Sequence, residues 1–221
     1  MKDKKYKNFF KDITKKVKKI LTKSPACHDW DHTKRVLRNS QIICKSEKKA
    51  DSQIVEIASL LHDIARTNDM NREKRKCHAQ NGAIIAKKIL SEYNFLDRNF
   101  INKVVLCVKR HRYRGKERPQ SIEEKIVYDA DKLDSLGAIG IGRAFHFAGR
   151  IGARLHNTEQ EALSSNSYTK EDTAYREYLI KMRHIPEKML TKTGKKIALK
   201  RLKFMKLFFE KLNKEFSGNE K

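Results

Sequence analysis

The chain has 221 residues, 38% of them hydrophobic and 35% charged, enough for one domain with a substantial core. No apolar run approaches the roughly 20 residues that span a bilayer, which argues against a membrane span. The four cysteines, Cys27, Cys44, Cys77 and Cys107, form no C-x-x-C pair. They indicate neither a disulfide framework nor a zinc ribbon, and suit reduced thiols in a cytoplasmic protein.

The opening "MKDKKYKNFFKDITKKVKKILTK" is charged throughout and shows no secretory h-region. Phe9, Phe10, Ile13, Val17, Ile20 and Leu21 make an apolar stripe with lysines opposite. Residues 1–24 are therefore expected to form a basic amphipathic helix. The formal net charge is +24. Ten lysines and two aspartates give residues 1–23 an excess of +8, and residues 188–221 carry the same excess. The 164 residues between carry only the remaining +8. Such termini are read as solvated lysine-rich faces, with attraction of nucleotides or nucleic acid as the functional alternative.

After the loop "TKSPACHDW", with Pro25, a second helix is expected from about Asp31 to Glu47, and a third from an N-cap at Asp51 or Ser52. "ARTNDMNREKRK" reads as a polar loop, and "CHAQNGAIIAKKILSEY" and "DRNFINKVVLCVKRHR" as helices. Gly115 and Pro119 break the pattern. "SIEEKIVYDADKLDSLG" then restarts a helix, with a capping box from Ser121 to Glu124. Five of the nine glycines fall in "GAIGIGRAFHFAGRIG", which fits a closely packed helix or a glycine-rich loop. Residues 153–170 read as a mobile excursion, and two closing helices split near "LTKTGKK". No alternating strand pattern occurs. The fold expected is all-α, a single-domain helical bundle over residues 25–216 followed by a short tail at 217–221.

Two His–Asp pairs stand out, His28–Asp29 in a loop and His62–Asp63 at the end of an apolar helical run. Helical phase separates them. His32 shares a face with Val36, Asn39 and Ile43; His62 follows Ala58 by four; Asp131 follows Val127 by four. Three helices thus each turn an ionisable residue toward the interior, where an unpaired charge is costly and a shared cation is the simplest remedy. Two imidazoles and two carboxylates suit a divalent transition metal. Taken singly, each residue also has an ordinary structural reading, a bonded core histidine for His32 and a cap or ion pair for Asp131.

The motifs "HDWDHTKRV" (28–36), "ASLLHDI" (58–64), "DADKLDSLGAIGIGR" (129–143) and "LTKTGKK" (190–196) occur in that order. In this they resemble the HD-domain phosphohydrolase superfamily, and more closely its small bacterial branch. The resemblance covers roughly residues 25–210. It implies a helical HD bundle with metal ligands at His32, His62, Asp63 and Asp131. The ion it implies is Mn²⁺ first, with Mg²⁺, Fe²⁺, Zn²⁺, Co²⁺ or Ni²⁺ as alternatives. The implied activity is hydrolysis of nucleotides, (d)NTP to (d)NMP and pyrophosphate. The alternatives are another phosphoester, such as a nucleoside monophosphate or an alarmone, and a nucleic-acid-binding protein.

Around the four ligands, Asp134, on the same helix face as Asp131, is a candidate general base or simply an ion-pair partner. His78 and His111 are candidates for a second metal or a phosphate contact, or histidines near helix ends. Arg66 and Arg143 lead the candidate phosphate-binding cations, ahead of Arg110, Arg112, Arg114 and Lys116. The resemblance adds Lys181 and Arg183 from the closing helices. His28 is expected to border the site.

Overall fold

The computed structural model describes residues 3–22, 28–66, 78–112 and 117–219. The expected break at 113–116, with Arg114, Gly115 and Lys116, lies outside these residues, as do Pro25, Cys27, Cys77, most of the polar loop after Arg66 and the side chain of His78. The described residues contain ten α-helices and no strand, so the all-α expectation holds. They form two compact units, residues 1–131 and 132–221.

The first unit is built around α3 (Ser52–Leu61). Ile54, Val55, Ile57, Ala58, Ser59, Leu60 and Leu61 are all buried, and only Ser52, Gln53 and Glu56 keep exposed surface, so most of this helix lies in the core. Its N-cap is Asp51, whose carboxylate accepts from the backbone N–H groups of Gln53 and Ile54. Helices α1 (Asp3–Leu21), α2 (Trp30–Ser46) and α5 (Arg98–Arg110) pack on it, and α4 (His78–Ser91) packs on α5. The helix α6 (Ile122–Leu133) closes the unit. Its expected capping box is half present. The Ser121 hydroxyl accepts from Glu124 N at 3.2 Å, but the Glu124 carboxylate turns to Gln120 N, 2.9 Å, and to Arg110.

Helix α1 spends its apolar stripe inside this unit. Phe9, Ile13, Val17 and Leu21 are buried, with Tyr6 added to the stripe. The Phe9 ring meets Tyr93 and Phe95 edge-on, centroids 4.9 and 5.7 Å apart. Tyr6 donates to Glu56, and Lys16 reaches Glu92 at 3.0 Å. The lysines opposite, Lys4, Lys11 and Lys15 among them, are exposed.

In the second unit the glycine-rich stretch is the helix α7 (Gly137–Arg150), not a loop. A Cβ at Gly140 would fall 2.3 Å from the Ser135 carbonyl oxygen, so the close return of the chain there requires glycine. The expected excursion at 153–170 contains a short helix, α8 (Glu159–Ser164), with a complete Thr158–Glu161 capping box. Arg176, buried on α9 (Ala174–Ile180), donates to Asp172 at 2.9 Å and to the Ser165 carbonyl at 2.9 Å. Asn157 donates to the Glu171 carbonyl and accepts from Thr173. A 3-10 turn over Met182–Lys188 then leads to α10 (Lys192–Ser217), whose Phe209 stacks on Tyr178 at 4.5 Å.

No helix among the described residues is long and apolar enough to cross a membrane. Docking of α1 through its apolar face predicts an asymmetric response to truncation. Ile13→Ala, at a fully buried position, should cost about 2–5 kcal/mol in urea unfolding. Lys15→Ala, on the solvent face, should stay within about 0.5 kcal/mol of the wild type.

Candidate metal centre

Three helices of the first unit deliver one cluster. Asp29 is the N-cap of α2, and its carboxylate accepts from the backbone N–H of His32 itself at 2.9 Å. The capped first turn thereby fixes His32, which has no exposed surface. Regular α3 ends at Leu61, and the backbone tightens beyond it, with Ile64 N bonded to Leu61 O and Arg66 N to Asp63 O. That tight turn puts both His62 and Asp63 on the cluster side. On α6, the carbonyl of Ala130, next to Asp131, accepts from the buried Asn39 of α2 at 3.2 Å.

The donor atoms converge. His32 Nε2 lies 3.2 Å from His62 Nε2, 3.6 Å from Asp63 Oδ2 and 3.5 Å from Asp131 Oδ1. His62 Nε2 lies 3.6 Å from Asp63 Oδ2 and 4.0 Å from Asp131 Oδ1. The four residues expected from helical phase are therefore brought together, and His32, His62 and Asp131 have the spacing of a metal-binding group.

The hydrogen bonding behind the cluster fits a cation. His62 Nδ1 is 2.8 Å from the Ser59 carbonyl, an oxygen that only accepts, so Nδ1 carries the proton and a neutral ring turns a bare Nε2 into the cluster. Burial pushes the His62 pKa down to about 4, against the opposing pull of Asp63 and Asp131, so the ring is neutral at pH 7. Burial alone would raise the Asp63 carboxyl. The imidazoles around it, His62 and His28 foremost, outweigh that and hold it well below the ordinary carboxylate range. Lone pairs and negative charge thus face one point.

The other expected site residues divide. His28 lies at the cluster, its Nδ1 2.7 Å from Asp63 Oδ2, whereas Asp29 of the same pair is the helix cap. His111 is no exposed helix-end histidine. It is 2% exposed, bonded through Nδ1 to the Val108 carbonyl, with Nε2 3.5 Å from Asp63 Oδ1. Arg66 Nε is 3.2 Å from Asp63 Oδ1. In the second unit Asp134 and Arg143 are partners, Nη1 lying 2.7 Å from Oδ2 and 3.1 Å from the Asp134 carbonyl. Lys181 pairs with Glu177, and Arg183 donates to His184. The side chain of His78 is outside the described residues.

The chain is 33% identical over 208 residues to the uncharacterised protein YpgQ of Bacillus subtilis, covering 91% of each sequence. Residues 29–136, which contain all four converging residues, match the HD domain family. The chain belongs to the HD-domain superfamily. Among solved structures, that of B. subtilis YpgQ in complex with ADP superposes with a TM-score of 0.73 at 29% identity, over 95% of this chain and 96% of that one. An HD-superfamily hydrolase from Bacillus thuringiensis superposes with a TM-score of 0.72 at 26% identity, over 96% and 98%. Family membership and the buried His/Asp cluster together support a metal-dependent hydrolase.

The depressed His62 pKa has a consequence for the metal-free protein. Between pH 6.5 and about 4 the unfolded chain takes up a proton that folded His62 refuses, so stability falls as pH drops through that window. Asp63 is ionised throughout it, and its contribution is lost only below the ordinary 3.8. Urea unfolding at pH 7 and 4.5 should show a loss from His62 of up to roughly 3 kcal/mol. His62→Gln should flatten the slope by up to one proton.

Proposed function

We propose that the protein is a nucleotide phosphohydrolase that uses a divalent ion held by His32, His62, Asp63 and Asp131 to convert a (d)NTP to a (d)NMP and pyrophosphate. The observation that carries this reading is the convergence of two imidazole nitrogens and two carboxylates at 3.2–4.0 Å in a buried setting. The ADP complex of YpgQ supports a nucleotide as the substrate class. A mixed nitrogen and oxygen donor set suits a divalent transition metal, and the family resemblance favours Mn²⁺, with Mg²⁺, Fe²⁺, Zn²⁺, Co²⁺ and Ni²⁺ as alternatives.

When bound, the ion supplies Lewis acidity at the phosphoryl centre and a lowered pKa for water. The rest falls to the chain. His62, locked to the Ser59 carbonyl, presents a lone pair without first losing a proton. Arg66, already beside Asp63, brings a guanidinium whose planar fork matches phosphate oxygens and offsets negative charge as it develops. His111 faces the same Asp63 oxygen as Arg66, in reach of the same centre. Arg143, which follows the last ligand helix, and Lys181 and Arg183, from the family resemblance, are proposed as further phosphate contacts, and Asp134, on the same helix face as Asp131, as a base.

The test is a panel of NTPs, dNTPs, nucleoside monophosphates and an alarmone incubated with Mn²⁺ and the folded protein, separating pyrophosphate from phosphate release. Pyrophosphate from triphosphates is expected, falling to background in His62→Ala/Asp63→Ala and on chelation. Silence across the panel from Mn²⁺-loaded protein would reject a nucleotide substrate.

A further inference from the structure

The loop-borne pair His28–Asp29 is not needed to complete the four converging donors, yet one of its side chains touches Asp63 and the other the backbone of His32. Asp29 caps α2 through the N–H of His32 at 2.9 Å. His28 reaches across to α3's end and meets Asp63 Oδ2 at 2.7 Å. An ionised carboxylate only accepts, so His28 Nδ1 carries the hydrogen and donates. The His28 side chain is 28% exposed, while Asp63 is 2% exposed. The contact is thus made from the rim inward. On the other oxygen, Asp63 Oδ1 meets Arg66 Nε at 3.2 Å and faces His111 Nε2 at 3.5 Å.

We propose that His28 is a positioning residue for the metal centre, fixing by its Nδ1–H the carboxylate plane of Asp63 so that Oδ2 stays turned toward His32 and His62. The inference rests on the metal-centre reading above and deepens it. The chemistry explains the need for such a group. A carboxylate can rotate about its Cβ–Cγ bond, and rotation would exchange the oxygen shared with the imidazoles for the one shared with Arg66. A hydrogen bond at 2.7 Å on one oxygen and a guanidinium on the other remove that freedom. Hydrogen bonds to ligating side chains raise metal affinity by keeping the ligand in its bound orientation. His28 and Asp29, adjacent in sequence, thereby hold two donors from different elements, Asp63 in the turn after α3 and His32 on α2.

The alternative role for His28 is as a direct ligand, since His28, His32 and Asp63 also have the spacing of a metal-binding group. Two substitutions separate the roles. Asparagine places an amide N–H where histidine has Nδ1 and keeps the donor; leucine removes it. Mn²⁺ binding to folded, metal-free protein, followed by calorimetry, reads the effect independently of turnover. His28→Leu should weaken Mn²⁺ by about 10–100-fold, while His28→Asn stays within a few-fold of the wild type. Wild-type Mn²⁺ affinity in His28→Leu would overturn the proposal, as would equal weakening in both variants, the mark of a ligand lost. Failure of the wild type itself to bind Mn²⁺ would overturn the metal-centre reading and this inference with it.

Discussion

A carboxylate with 3% exposure at the end of an apolar helix is the constraint around which the first unit is arranged. Asp63 cannot shed its charge into water, and a buried charge left alone costs several kcal/mol. The surroundings answer that cost from every side. His28 donates to one oxygen, Arg66 to the other, and His32, His62 and His111 all lie within 3.6 Å of the carboxylate. Without a cation these contacts make the charge tolerable. With one, the same contacts aim it.

Helix α2 is the element that ties the centre to the fold. Its cap residue holds His32, and two turns further along Asn39 reaches the backbone beside Asp131. Next to Asn39, the Ser40 hydroxyl bonds that of Ser59 at 2.9 Å. Ser59 in turn offers the carbonyl that sets the His62 tautomer. One face of α2 therefore touches the supports of three of the four donors, and the polar contacts across this core are hydrogen-bonded rather than stranded. The close approach of α4 at Gly82 completes the packing, since a Cβ there would sit 3.4 Å from Val108 and 3.6 Å from the His62 carbonyl.

The four converging residues were legible because a helix fixes the angle between residues. Phase alone places His32 with Val36 and Ile43, and Asp131 with Val127, on buried faces. His28 had no such signal, since a loop has no period and its partner lies 35 residues away. His111 sits where a helix stops, and a helix end can face solvent or core with the same local sequence. An ion pair was one of the two readings for Asp134, but Arg143 could not be named as its partner because the pairing depends on how the chain turns between α6 and α7. The 153–170 segment read as loose since its order comes from buried Arg176 and Asn157, contacts that composition does not encode. The Glu124 carboxylate leaves its half of the capping box unmade because it accepts from Gln120 N and Arg110 instead, partners that the local motif does not show.

Helix α1 divides its residues cleanly, with Ile13, Val17 and Leu21 at zero exposure and its lysines turned to solvent. Surface substitutions away from packed features change stability by little. Replacing exposed lysines of the outer face, such as Lys4, Lys11 and Lys15, by glutamine or glutamate would therefore lower the net charge by several units without disturbing a donor atom in the centre. The inner face has no such latitude.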